Sequence, residues 1–285
     1  MTSTIPIPAF IAPQSCHVLP DGAKIGQYAS THVCEEKFDG ERVIVCVRRG
    51  AGVEAWSKPR AKVGGGKLPP GVKQLGRAVT AALLLLPDGV YDGELLIPKV
   101  LPGAPSTGRL TDPERATVKL FDTLELFGEC VTTAPCADRR RLLEQAVRHI
   151  VPAGMDPWKG SPVSATELLP VTQDTVDRIW ARGGEGVILK AKASRYVPGS
   201  RSHEWLKVKP VAVAVLEIIG FKAAKTGPYS CLVLQDADGI TTSVTTPWNW
   251  MKDPASCLGR HLQIEYTQKT SRGSYRHPRA DHLVD

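Results

Sequence analysis

The sequence lacks the patterns of a disulfide-bonded, zinc-binding or membrane-spanning protein. Its seven cysteines are an odd number, with neither a Cys-x-x-Cys pair nor a histidine at zinc-ligand spacing. The most apolar run, Ala81 to Leu86, is far too short to cross a bilayer, and residues 1–14 contain no basic segment followed by a long apolar one. We therefore expect reduced, mostly buried cysteines, a cytoplasmic location and no membrane contact.

The composition is that of a globular protein. Hydrophobic residues make up 42% and charged residues 23% of the 285 positions, which excludes a disordered or fibrous chain, and no repeats or low-complexity tracts occur. A single ordinary core needs about 100–200 residues. Because the chain exceeds that range, we predict two unequal domains.

The net charge favours a polyanionic partner. The formal charge is +7 and the pI is near 9.0, and a basic surface attracts phosphates and releases counterions on binding them. Charge alone does not distinguish a nucleic-acid-binding protein from one that carries solvated lysines.

The residue patterns predict a mixed α/β domain up to residue 209. Apolar, β-branched runs bounded by glycine and proline predict strands, and segments of helical periodicity predict helices, capped by Asp138 and Thr172 in two cases. The strands are Arg42–Val47, Val90–Ile97 and Val118–Phe121, and the helices are Val72–Leu86, Arg139–Ile150 and Asp174–Arg182.

The residue pattern changes after Lys209, where short strand-like runs alternate with turn residues. These runs are Val211–Phe221, Ser230–Leu234, Ile240–Val244 and His261–Tyr266. About five short strands and a basic balance fit an oligonucleotide-binding (OB) barrel. We place the domain boundary at residue 209, which gives domains 1–209 and 210–285.

One segment carries the strongest chemical signal, the K-x-D-G-x-R spacing from Lys37 to Arg42. Taken alone, it is compatible with an ordinary turn whose lysine and arginine are solvated. Alternatively, Lys37 is a nucleophile that loses its proton when burial and neighbouring cations favour the neutral amine. An amine of this kind suits attack on a phosphate activated by a pyrophosphate leaving group.

Four further segments follow in a fixed order and support the second interpretation. They are Asp92-Gly93-Glu94-Leu95, Phe121-Asp122-Thr123-Leu124, Glu185-Gly186-Val187-Ile188-Leu189-Lys190 and Trp205-Leu206-Lys207-Val208-Lys209. Together with the first segment they resemble the conserved motifs of the ATP-dependent DNA ligases, which belong to the covalent nucleotidyltransferase superfamily. The resemblance extends from about Glu35 to Pro278.

The resemblance implies a fold and a reaction. The fold is an α+β nucleotidyltransferase (adenylation) domain with antiparallel sheets and flanking helices, followed by an all-β OB-fold barrel. The reaction transfers AMP from ATP to Lys37, from Lys37 to the 5′-phosphate of a nick in duplex DNA, and ends when the 3′-hydroxyl displaces AMP.

The resemblance also assigns the nucleotide contacts. Glu35 reads the exocyclic amine of adenine, Glu94 accepts a hydrogen bond from a ribose hydroxyl, and Phe121 stacks on the base. The cations that contact the nucleotide are Arg42, Lys190, Lys207 and Lys209. Lys207 and Lys209 alternate along a predicted strand, so we expect both ammonium groups on one face.

Two acidic residues are predicted to serve a divalent metal, Mg²⁺ or Mn²⁺. Glu185 offers a hard oxygen ligand, and magnesium keeps most of its waters and needs few protein carboxylates. Asp39 would assist through water or by orienting Lys37. Glycines on both sides of Glu185 favour a close approach of the backbone to a ligand.

The expected contacts to the 5′-phosphate of the nick are Arg42, Ser57 and Lys58. Lys58 stands where ligases carry arginine, and it supplies a point charge instead of a bidentate fork, so Arg60 is expected to compensate. The terminal Arg-x-Asp-Lys element of DNA ligases has no direct counterpart, and we expect Arg276 or Arg279 to replace its cations.

The interpretation that best accounts for all five segments is a monomeric, ATP-dependent DNA ligase that acts on nicked duplex DNA. An RNA ligase or a capping-type nucleotidyltransferase would share the lysine chemistry. A non-catalytic OB-fold nucleic-acid-binding protein would keep the barrel and the charge but would lose nothing when Lys37 is replaced.

Overall fold

The computed structural model describes residues 11–20, 22–57, 75–96, 113–148, 161–222, 231–245, 253–270 and 273–284. Its contacts divide the chain into two units, one that ends at Val208 and one that begins at Lys209. No described helix combines the length and apolar character needed to cross a membrane. All seven cysteines are free thiols, and four of them are buried.

Two sheets form the frame of the first unit. One has the strand order β4-β3-β5-β6-β7, with β8 parallel to β6, and the other has the order β1-β11-β10-β2-β9, antiparallel except for the β1–β11 pair. The strands are β1 (Ser15–Val18), β2 (His32–Glu36), β3 (Glu41–Arg48), β4 (Gly52–Ser57), β5 (Gly89–Leu96), β6 (Thr117–Leu126), β7 (Glu129–Cys130), β8 (Val163–Ala165), β9 (Leu168–Leu169), β10 (Val187–Ala191) and β11 (Arg201–Val208).

Three helices accompany these sheets: α1 (Arg77–Leu83), α2 (Cys136–Arg148) and α3 (Gln173–Ala181). The helix predicted for residues 72–86 is therefore too long, although residues 72–74 lie outside the described chain. The predicted cap of α3 is confirmed, because the Thr172 hydroxyl accepts a hydrogen bond from the Thr175 N–H. The cap predicted at Asp138 is wrong, because α2 begins at Cys136, directly after Pro135, and Asp138 lies in its first turn.

Strand β3 is apolar along most of its length because both of its faces are buried. Val43, Val45 and Val47 pack into the cluster that contains residues of α1 and α2, while Ile44 and Cys46 pack into a second cluster with residues of β11. Successive side chains of a strand point to opposite faces, so a strand covered on both faces is apolar throughout. The three predicted strands are confirmed as β3, β5 and β6, and β6 continues beyond the predicted end.

The second unit is all-β in the part that the structure describes, apart from a short 3-10 turn. An antiparallel sheet has the order β14-β13-β12-β15-β18, and β16 and β17 form a separate hairpin. The strands are β12 (Ala212–Lys222), β13 (Cys231–Gln235), β14 (Thr241–Val244), β15 (His261–Tyr266), β16 (Gln268–Lys269), β17 (Tyr275–Arg276) and β18 (Arg279–Leu283). The four runs predicted for this region correspond to β12 to β15, and their inward residues form one buried cluster.

Candidate active site

A cavity within the first unit is lined by residues from both of its sheets. Its volume is about 480 Å³ when the space open to solvent at its mouth is counted. Its lining comprises Cys16, Glu35, Glu36, Lys37, Phe38, Arg42, Glu94, Phe121, Ile188, Lys190 and Trp205. The strand pairing therefore brings together residues of all five sequence segments, which are spread over more than half of the chain.

Lys37 and Glu185 form an ion pair at this cavity. The Lys37 Nζ lies 2.5 Å from a Glu185 carboxylate oxygen, and their side chains are 23% and 16% exposed. Lys37 follows β2 and its N–H donates to the Gly186 carbonyl at 2.8 Å, which extends the antiparallel pairing of β2 with β10. The amine is thus held by backbone pairing and remains accessible.

Glu35 is a buried carboxylate held by two cations. One of its oxygens lies 2.8 Å from Lys190 Nζ and the other 3.1 Å from Arg140 Nη1. Lys190, which is itself buried, also donates to the Phe121 carbonyl at 2.9 Å. The ammonium of Lys190 therefore lies against the carboxylate and the aromatic wall, while its predicted contact with nucleotide phosphates stays a prediction.

Two aromatic rings form one wall of the cavity. The Lys190 ammonium lies 4.5 Å from the Phe121 ring centroid and 4.6 Å from that of Trp205. The Arg42 guanidinium carbon lies 4.5 Å from the Phe121 centroid. Such distances are in the range of cation–π contacts. The sequence assigned the stacking position to Phe121 but gave no role to Trp205, which the structure adds to the wall.

Arg42 is fixed by a bidentate ion pair. Its Nε and Nη2 donate to the two oxygens of the fully buried Asp92, each at 2.5 Å, and Nη2 also donates to the Gln14 carbonyl at 3.2 Å. Asp92 in addition accepts a hydrogen bond from the Tyr196 hydroxyl at 2.6 Å. Burial alone would lower the pKa of Arg42, but the Asp92 carboxylate outweighs it and raises that pKa. The guanidinium therefore stays charged and oriented.

Glu94 lies between these charges. Burial, reinforced by the negative charge of Glu185, raises the pKa of Glu94 to about 7, although Arg42 and Lys37 pull that pKa down. One carboxylate oxygen accepts a hydrogen bond from the Gly40 N–H at 3.2 Å. This hydrogen bond links the turn after Lys37 to strand β5.

The turn itself requires glycine at position 40. A Cβ added there would overlap the Leu95 carbonyl oxygen and lie 2.8 Å from both Glu94 Cγ and Leu96 Cδ2. Position 40 therefore needs glycine because the turn packs closely against β5.

The remaining predicted site residues lie on several strands, in a bend, or outside the described residues. Lys207 is on β11, where strand alternation gives it the same face as Trp205. Lys209 follows the end of β11 at Val208, so the expected strand alternation of the two lysines does not extend to it. The other outcomes are these: Asp39 lies in the bend between β2 and β3, Ser57 ends β4, Arg276 is on β17, Arg279 is on β18, and Lys58 and Arg60 lie outside the described residues.

The acidic residues fit a metal that arrives with the nucleotide. Among the described residues, no group of three or more His, Cys, Asp and Glu side chains is close enough to hold an ion by itself. Magnesium commonly takes one or two carboxylates together with substrate phosphates and water. The partly exposed carboxylate of Glu185, beside Lys37, would be such a ligand.

Comparisons with known proteins agree on one family. The family described as "ATP dependent DNA ligase domain" matches residues 23–209. DNA ligase C2 of Mycolicibacterium smegmatis is 30% identical over 233 residues, which are 74% of this chain and 59% of that protein. The bifunctional non-homologous end joining protein LigD of Bacillus subtilis is 28% identical over 160 residues, which are 54% of this chain and 25% of that protein. The chain thus spans between a quarter and three fifths of the length of these relatives.

A solved structure confirms the predicted fold class. The structure described as a minimal-scaffold Lig E DNA ligase superimposes with a TM-score of 0.67 at 16% identity, covering 96% of this chain and 100% of that one. At this identity the likeness concerns the fold. The architecture is that of an α+β nucleotidyltransferase domain followed by an OB-fold domain.

Proposed function

The chain belongs to the ATP-dependent DNA ligase family, and from this premise we propose that it seals nicks in duplex DNA with ATP as the AMP donor. The nick presents a 3′-hydroxyl and a 5′-phosphate. Residues 1–209 carry the adenylation chemistry, residues 210–285 form the OB-fold domain, and the enzyme acts as a monomer.

The observation that carries the proposal is the accessible amine of Lys37, paired with Glu185 in a cavity walled by aromatic rings. In the first step Nζ gives up a proton and attacks the α-phosphorus of ATP. The Nζ–P bond forms while the bond from that phosphorus to the pyrophosphate oxygen breaks. Positioning supplies most of the rate enhancement in such a displacement.

Glu185 would hold a magnesium or manganese ion at the substrate phosphates, with Asp39 assisting. When bound, the ion supplies charge neutralisation at those oxygens. Because the same carboxylate pairs with Lys37 in the free protein, binding of an ion by Glu185 would free the Lys37 amine for attack. Lys190, Lys207 and Lys209 supply further positive charge to the nucleotide.

The fixed groups of the cavity suit an adenine nucleotide. A carboxylate accepts hydrogen bonds and does not donate them, so Glu35 accepts from the exocyclic amine of adenine. Phe121 stacks on the base. Glu94 accepts from the ribose, and Arg42, oriented by Asp92, contacts the nucleotide.

The later steps use the same centre. The 5′-phosphate of the nick takes AMP from Lys37 as the Nζ–P bond breaks, and the 3′-hydroxyl then attacks the 5′-phosphorus and releases AMP. Ser57, Lys58 and Arg60, together with Arg42, contact the DNA phosphate. Arg276 or Arg279 acts on the pyrophosphate during the first step.

The proposal is tested with a duplex that carries one labelled nick, incubated with ATP and Mg²⁺ and resolved on a denaturing gel. Nicks with RNA on either side separate DNA joining from RNA joining. We expect a full-length product from the DNA nick, none with Lys37→Ala, and unchanged product with Lys24→Ala, a matched change at an exposed lysine. Equal joining by Lys37→Ala would refute the proposal.

A further inference from the structure

A buried arginine outside the five sequence segments holds Glu35. Arg140 lies on α2, and its Nη1 is 3.1 Å from a Glu35 carboxylate oxygen. Both side chains are buried, and the two residues are 105 positions apart. The contact thus joins α2 to the strand that leads into Lys37.

Arg140 is anchored on three sides. Its Nη1 donates to the Thr166 hydroxyl at 2.8 Å, its Nη2 donates to the Thr166 carbonyl, and its Nε donates to Glu144 at 2.9 Å. A planar guanidinium with several satisfied donors has little freedom to turn. Arg140 is therefore a rigid support for whatever it binds.

The two oxygens of Glu35 have different partners. Arg140 binds one of them and Lys190 binds the other, at 2.8 Å. Two cations offset the cost of burying the carboxylate. Without Arg140, one oxygen would lose its partner, and the carboxylate would be free to turn.

The orientation of the Glu35 carboxylate decides which base it can bind. A carboxylate oxygen that faces the base accepts hydrogen bonds and offers no donor. Adenine presents an exocyclic amine, a donor, where guanine and hypoxanthine present a carbonyl oxygen, an acceptor. When the wrong ligand leaves a buried polar group of the site unpaired, the site discriminates strongly against that ligand.

We propose that Arg140 is a positioning residue that sets the preference for adenine, because it holds the Glu35 carboxylate in one orientation. This inference rests on the proposed function of Glu35. Arg140 acts through Glu35, and Lys190 binds the other oxygen of that carboxylate. The preference for adenine therefore depends on α2 as well as on the residues that line the cavity.

The test compares single-turnover adenylylation with ATP and with inosine triphosphate, which carries the carbonyl. We expect Arg140→Gln to lower the ratio of the second-order rate constants of adenylylation, ATP over inosine triphosphate, by about tenfold or more. The fall should come mainly from a higher ATP concentration at half-maximal rate. Arg140→Lys keeps the charge and should lie between wild type and Arg140→Gln. Arg141→Gln, a change at the adjacent, 69% exposed arginine, should keep the wild-type ratio.

A double variant tests whether Arg140 changes the nucleotide preference through Glu35. If Arg140 acts through Glu35, the ratio in Glu35→Gln should fall no further when Arg140→Gln is added. An additional fall of the same size would contradict the proposal.

The outcomes distinguish this inference from the function on which it rests. If wild type acquires no AMP, the proposed function fails. If wild type is adenylylated and Arg140→Gln loses activity equally with both nucleotides, the role of Arg140 is structural and the inference is overturned. If Arg140→Gln does not fold, as judged by circular dichroism, Arg140→Lys decides, and an unchanged ratio there contradicts the proposal.

Discussion

Lys37 and Glu185 lie 148 positions apart in the sequence and 2.5 Å apart in the structure. The antiparallel pairing of β2 with β10 creates this contact, because Lys37 directly follows β2 and Glu185 lies two positions before the first residue of β10. One carboxylate therefore serves the amine in the free protein and, in the proposed reaction, the metal at the substrate phosphates.

Replacing Glu185 by glutamine should reduce adenylylation strongly but the free energy of unfolding only slightly. The charge proposed to hold the metal at the nucleotide phosphates is lost, so we expect adenylylation to fall at least about 100-fold. The ion pair is partly exposed, and we expect a change of about 1 kcal/mol or less in the free energy of unfolding. Rapid-quench adenylylation and urea denaturation measure the two quantities.

Glu204→Gln is the matched control for that experiment, because Glu204 is an exposed glutamate of β11. It should leave both quantities unchanged. Near-normal adenylylation by Glu185→Gln would remove Glu185 from the proposed mechanism.

The pair of Arg42 and Asp92 should matter for stability as well as for the reaction. Arg42→Gln leaves the fully buried Asp92 carboxylate with a missing partner, so we expect a loss of roughly 3 kcal/mol in the free energy of unfolding. Arg178→Gln, which breaks an exposed pair with Asp174, should cost about 1 kcal/mol or less. Chemical denaturation measures both, and equal losses would argue against the buried pair as a structural support.

Gly40→Ala should displace the turn that carries Lys37. The added methyl group overlaps the backbone of Leu95, and such overpacking costs about 1–3 kcal/mol. Because the turn must move, we expect adenylylation to fall more than the stability loss alone explains. Gly26→Ala, where the new Cβ meets nothing within 4 Å, is the control, and comparable activity of the two variants would contradict the packing argument.

Glu94 should make stability depend on pH in a defined window. Burial raises its pKa to about 7 from an ordinary value of 4.5, so the unfolded chain loses this proton at lower pH than the folded chain. The stabilising contribution of Glu94 is full below about pH 4.5, declines as pH rises through 7 and is then constant. One pKa unit corresponds to about 1.4 kcal/mol, which sets an upper limit of roughly 3 kcal/mol.

Glu94→Gln removes this titration. The stability of the variant relative to wild type should therefore increase between pH 4.5 and 7.5, as measured by thermal denaturation at fixed ionic strength. Glu41→Gln, a change at the exposed glutamate that begins β3, should show no such trend. A pH-independent difference for Glu94→Gln would refute the shifted titration.

Part of this site was predictable because its signals are local. The spacing from Lys37 to Arg42 is readable without a structure, and β3 could be identified because both of its faces are buried. The partnership of Glu35 with Arg140 was not predictable, since a contact between a strand and a distant helix leaves no periodic pattern. The sequence showed only three consecutive arginines at 139–141.

The same limit explains the predictions that changed. Ala- and Leu-rich composition favoured a helix over residues 72–86, but propensity does not fix helix ends. Asp138 is a good capping residue by type, yet α2 begins two residues earlier, at Cys136. For Lys190 the contact with the nucleotide stays a prediction, and only the tertiary structure adds its ion pair with Glu35.

The central claim is that the Lys37 amine accepts AMP, and intact-protein mass spectrometry after incubation with ATP and Mg²⁺ tests it most directly. We predict a mass increase of one adenylate, located at Lys37 by peptide mapping, absent in Lys37→Ala and present in Lys24→Ala. A wild-type chain that never gains the adenylate, or that carries it on another residue, would contradict the account.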